Sequence, residues 1–151
     1  MRIEELEAVC REAARELVAR EDRPLPPAAV LPLSQATKVT TFPDFPVADP
    51  ERYDLLAAFA RDVLRPADAP AFGFVAEGAA DSEDGPIDVV VVVYGARNHH
   101  LAVTAAPFTD DGLGEFTPAE ELDHAAFPFL APLRHAVDVA RPPGAATAPP
   151  G

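Results

Sequence analysis

Ile3, Leu6, Cys10, Ala13 and Leu17 recur at alternating steps of three and four, with Glu and Arg filling the positions between them. This spacing predicts an amphipathic helix over Ile3 to Arg20. It is also the spacing of a coiled-coil seam, but two heptads are short for one, and packing on its own domain is the expected use. Pro24, Pro26 and Pro27 end the helix. Ala28 to Leu33 and Thr37 to Phe42 then read as two short strands joined by a turn near Ser34 and Gln35. Pro32 lacks an N–H and falls inside the first strand, which is therefore expected to be an edge strand, bulged or irregular. The second, Thr-rich and carrying Lys38, has the composition of an exposed strand that resists edge-to-edge pairing.

Asp49-Pro50 opens a second helix, because Asp can cap free N–H groups and Pro at the first position needs no donor. It runs over about 50 to 65 with Tyr53, Leu56, Phe59 and Val63 on one stripe, and Pro66 is expected to stop it. Three strands follow: Ala71 to Ala79, Ile87 to Gly95 and His99 to Phe108. A polar loop at Asp81 to Pro86 and a tight turn at Ala96 to Asn98 make them an antiparallel meander. The unbroken run Val89 to Val93 has no polar alternation, so the middle strand is expected to be covered on both faces. Phe72, Phe74 and Ala76 define a bulky face and Gly73 and Val75 a small one, which a helix, a second subunit or a ligand can approach closely. Thr117-Pro118-Ala119-Glu120 has the form of a capping box and predicts a short helix there. Leu133 to Ala140 reads as a last helix.

These elements make one α+β domain over residues 1–140, followed by a Pro/Gly/Ala tail at 141–151 that has nothing to bury and is expected to be disordered. The order is α-ββ-α-βββ-α: an antiparallel sheet, formed by a three-stranded meander plus an N-terminal strand pair, covered by helices. That order is similar to the roadblock and longin-like folds, in which helices cover both faces of a five-stranded sheet. The likeness implies helices on both faces here and, through the dimerising adaptors among those folds, self-association. A plainer α+β sandwich with a three-stranded sheet is the second expectation.

Charge narrows the partners. Against 12 basic residues stand 25 acidic ones, a formal charge of −13 in 151 residues. Such a field repels phosphate backbones and anionic lipid, so neither nucleic acid nor membrane is an expected partner. The N-terminus is too acidic for a secretory signal, and no run is long enough to span a bilayer. Cys10 is the lone cysteine, which fits a reducing compartment, and the expected location is the cytoplasm.

No GxSxG, Walker A, dinucleotide or zinc-site pattern occurs, and no catalytic, metal-ligating or cofactor-binding residue is assigned. His99 and His100 invite an acid–base or metal reading, but adjacent residues on a strand point to opposite faces and cannot share one ion. Prolines break the register between His124 and His135. The six carboxylates Asp110, Asp111, Glu115, Glu120, Glu121 and Asp123 lack the ligand spacing of an EF-hand and read as a solvated acidic face near a helix start. Cys10, within an apolar stripe, is a small hydrophobe. Lys38 is an edge gatekeeper rather than a Schiff-base lysine. The expectation is a non-enzymatic interaction or assembly module that pairs with itself or with another cytoplasmic protein. The rival is a small-molecule-binding protein or enzyme whose pocket lies between the 95–100 turn and the acidic segment 108–123, with Arg97, His99, His100, Phe108, Asp110 and Asp111 as its candidate residues.

Overall fold

The computed structural model describes residues 2–33, 35–123 and 126–140. The tail at 141–151, His124 and the Ser34 side of the first turn lie outside the described residues. Helix α1 (Ile3–Arg20) buries Leu6, Cys10, Ala13, Ala14 and Leu17, the stripe its periodicity marks. It ends where the Glu21 N–H donates to the Leu17 carbonyl.

Strands β1 (Ala28–Pro32) and β2 (Thr37–Thr41) form an antiparallel pair with Val30 opposite Val39. β1 is regular and interior, not an edge, because its first three residues also pair with the meander, Val30 opposite Gly73. Pro32 is tolerated because it lies past that point, where only β2 still pairs with β1.

Helix α2 (Asp49–Phe59) begins with Pro50 in its first turn and continues through a π turn (Ala60–Leu64) into a single turn, α3 (Arg65–Ala67). Pro66 therefore does not stop the helix at once. A proline ring crowds the carbonyl four residues back, and the wider π ladder just before it opens the turn at that place. The buried stripe runs through Leu56, Ala60 and Leu64 rather than through Tyr53, Phe59 and Val63, and Tyr53 is 45% exposed.

The meander is longer than its apolar pattern. β3 (Ala71–Ser82) and β4 (Gly85–Ala96) pair throughout, so the polar loop shrinks to Glu83 and Asp84, with Gly85 at φ 102° completing the reversal. β5 (Ala102–Thr109) starts three residues later than the alternation suggests, because His99 N–H donates to the Ala96 carbonyl and Asn98 takes a left-handed φ of 64°.

The capping box forms no helix. Two short strands, β6 (Gly112–Leu113) and β7 (Glu120–Glu121), both fold back on β5. The Thr117 N–H donates to the Ala105 carbonyl and its Oγ1 accepts from the Ala105 N–H, so pairing with β5 takes the groups a helix start would use. A 3₁₀ turn (Pro128–Leu130) leads into α4 (Ala131–Asp138), two residues earlier than expected, with Pro132 in its first turn.

The sheet order is β2-β1-β3-β4-β5-β6, with β7 also on β5, and every pairing is antiparallel. Two cores result. On one face α1 packs against Ala28, Val30, Val75, Val90 and Val92; on the other, α2, the π turn and α4 pack against Leu31, Phe72, Phe74 and Val93. The small-residue face is thus closed by a helix of the same chain. A Cβ built on Gly73 would lie 2.4 Å from Cys10 Sγ, a contact only glycine permits. From Val89 to Gly95 the central strand is covered on both faces except at Val91, which is only half-buried, while Gly85 to Asp88 extend beyond the cores and are half-buried or exposed.

Candidate functional site

The candidate residues chosen from sequence fall into two groups at opposite ends of β5. At its start, Arg97 Nη1 donates to the Ala140 carbonyl (3.0 Å), the Arg97 N–H to Pro70 (3.1 Å) and the Asn98 N–H to Asp138 (3.4 Å). His99 is exposed. His100 is also exposed and faces Glu121 of β7 across 3.2 Å. These contacts tie the turn to the end of α4 and to β7.

At the far end, Phe108, Asp110 and Asp111 border a shallow groove with Arg15, Arg23 and Leu113. Phe108 there serves as a platform. The Arg23 guanidinium lies 3.9 Å over its ring and reaches Glu77 (3.1 and 3.3 Å) and Asp88 (2.8 Å). The hydrogen bond to Glu77 first, and that to Asp88 second, hold this guanidinium protonated beyond its ordinary range. The eight residues of β5 at ~3.3 Å each separate the two groups by about 26 Å, so they do not line one pocket.

Among the described residues no three His, Cys, Asp or Glu side chains gather to hold a metal ion. Cys10 is buried, and burial pushes its thiol up to about 12. Burial, and secondly a 2.6 Å hydrogen bond donated to Glu7, push the Tyr94 phenol upward as well. Both groups stay protonated and belong to the core under α1.

A deeper concavity lies on the opposite face, where the outer half of β3 and β4 extends past the helices. It is a groove of about 360 Å³. Ala76, Val91 and Val93 form its floor and Phe45, Phe127 and Phe129 stand around it. The rings belong to a continuous aromatic cluster: Phe45 lies 5.7 Å from Phe74 and 5.9 Å from Phe129, and Phe127 lies 5.8 Å from Phe129. Arg52 is held at 5.3 Å from the centres of both Phe45 and Phe129, with its Nε donating to the Pro46 carbonyl (2.6 Å). Sequence reasoning missed this groove. Its only advance signal was Phe45, Phe127 and Phe129, large apolar residues in proline-broken segments where no helix or strand period explains them.

A third feature is the edge of the sheet. β2 pairs only with β1 among the described residues, and its Val39 is 40% exposed. From Pro24 to Pro43 the chain carries no acidic residue and one basic one, Lys38.

No helix of the described residues is long and apolar enough to cross a membrane. Comparison with protein-family models, with curated proteins and with solved structures finds no match.

Proposed function

We propose that this chain is a non-enzymatic assembly module of the cytoplasm that pairs with a second copy of itself along β2. The observation that carries this reading is the open edge of β2 within an acid-free segment of a chain whose charge is −13. Two copies repel over most of their surfaces, and the repulsion is weakest where acids are absent.

The register is self-complementary. The Phe42 N–H donates inward to Pro27 of the β1 side, so by alternation the main-chain groups of Thr37, Val39 and Thr41 face outward. An antiparallel two-fold through Val39 sets Val39 against its own copy and Thr37 against Thr41, and every outward group finds a partner. Lys38 then lies opposite Thr40 rather than another Lys38, so the gatekeeper charge does not oppose itself. The order α-ββ-α-βββ up to β5, similar to that of roadblock and longin-like folds with their dimerising adaptors although β6 and β7 follow it here, supports the same reading.

Sedimentation equilibrium at micromolar concentration tests it. A dimer is expected, tightening from low to moderate salt as the repulsion of like charges is screened. Val39→Pro deletes an outward N–H while leaving the β1 ladder intact, and is expected to yield a folded monomer. A monomer at both salts, or a dimer indifferent to Val39→Pro, overturns the proposal.

A further inference from the structure

Independently of any pairing at β2, we infer that the groove beneath Phe45 and Phe129 binds a small carboxylate with an apolar body, its charge on Arg52 and its hydrocarbon on the floor formed by Ala76, Val91 and Val93. The size and lining suit a small molecule. About 360 Å³, mostly apolar and with few charged groups, is within the range of ligand sites.

The charges decide the class of ligand. Two charged side chains line the groove, Arg52 and Glu77. Glu77 is already engaged: both its oxygens accept from Arg23, and Oε1 lies 3.4 Å from the Leu25 N–H. Its negative charge is thereby met from outside the groove. Arg52 is in the contrary position. Its ring contacts and its bond to Pro46 fix the guanidinium in place, but its ion pair with Asp49 is 3.8 Å long and reaches a carboxylate 60% exposed to water. Arg52 is therefore pre-positioned, with its charge incompletely answered. A guanidinium in a fixed plane beside an aromatic wall suits a carboxylate, which can accept two parallel N–H bonds. A cationic ligand finds no free anion there, and a neutral one forgoes the charged contact.

Val91 supports the assignment from the sheet side. In a run of five valines it alone is half-buried: it packs at the margin of the core beneath α2 and α4 and lines the groove. An apolar position on a central strand left open to a groove is a surface a hydrocarbon chain can cover.

The test is isothermal titration of the full chain with octanoate and, separately, with 1-octanol, which has the same chain without the charge. Octanoate is expected to bind one-to-one with a Kd below about 1 mM, and octanol about ten-fold or more weaker. Arg52→Gln is expected to remove that difference by weakening octanoate alone. Should this variant not fold, Ala76→Phe fills the floor from the sheet and is expected to abolish binding of both. Failure of octanoate to bind, equal binding of acid and alcohol, or binding untouched by either substitution overturns the inference.

Discussion

Gly73 and Cys10 meet so closely across the sheet–helix interface that a methyl group on Gly73 would sit 2.4 Å from the Cys10 sulfur and 3.3 Å from Val30 Cβ. The helix rests on backbone at this point, and the small face of β3 exists to let it do so. Gly73→Ala is expected to destabilise the fold by about 1–3 kcal/mol, the usual cost of overpacking. Combining it with Cys10→Ala should recover part of the loss, giving a coupling of at least ~0.5 kcal/mol in a double-mutant cycle by urea denaturation. Strict additivity would mean that α1 does not seat on Gly73.

Val91 and Val92 are neighbours with opposite surroundings. Val92 is fully buried beneath α1, whereas Val91 opens to the aromatic groove. Val92→Asp brings an unpaired charge into a closed core and is expected to abolish cooperative folding, at a cost of several kcal/mol comparable to total stability. Val91→Asp is expected to leave a folded protein weakened by about 1–3 kcal/mol, because water reaches the groove and hydrates the carboxylate. Circular dichroism with thermal melts separates the two. Equal damage would place Val91 in a closed interior.

How far the sequence could be read follows from the same contrast. Helix α1 shows an unbroken period that matches its buried stripe, and the continuous apolar run Val89 to Val93 announced a strand covered on both faces, which holds at every position of the run but Val91. Small-residue patterning on β3 announced a close approach, although only the fold could say that α1 makes it. The capping box at Thr117 misled because its polar groups had a competing use: Thr117 is bonded to Ala105 through both main chain and side chain. Local signals cannot rank that alternative, since β5 lies elsewhere in the chain. Pro32 misled in the same way, its consequence depending on where β3 stops pairing. The candidate residues around Arg97 and Phe108 are joined by one strand whose length keeps them apart. Phe45, Phe74 and Phe129 converge from distant segments with no shared period, so the sequence showed unexplained aromatic residues but not their meeting in one groove.

The segment that replaced the expected helix makes its own prediction. Thr104 is a buried polar residue, and its hydroxyl donates to the Thr117 carbonyl. Thr104→Val removes the shorter of the two bonds to that carbonyl, leaving it only the 3.3 Å contact from Arg11 Nη2, and is expected to cost about 1–2 kcal/mol. Hydrogen exchange should then accelerate at Gly114 and Thr117, whose N–H groups bond to Pro107 and Ala105, before it does so in β3 or β4. Uniform acceleration across the sheet would show that this segment is not a separable unit.

Alkaline pH probes the core under α1 through linkage. The Cys10 thiol is raised by burial from its ordinary value of 9.0 to about 12. Between those values the unfolded chain releases the proton and the folded chain keeps it, so the native state binds more protons there. Stability is then fully present below pH 9 and falls as pH rises, at up to about 1.4 kcal/mol per pH unit from this one group. Tyr94, raised by burial first and by its hydrogen bond to Glu7 second, steepens the loss above its own ordinary value of 10.0. Urea denaturation across the alkaline range should therefore give a declining stability whose slope is shallower in Cys10→Ala from pH 9 upward, and in Tyr94→Phe only from pH 10 upward. The two onsets matter more than the size of either effect, because Cys10→Ala also leaves a small cavity that lowers stability at every pH without changing its slope. Parallel curves for the wild type and Cys10→Ala would mean that the thiol ionises as freely in the folded state as in the unfolded one, which a sulfur sealed between α1 and Gly73 cannot do.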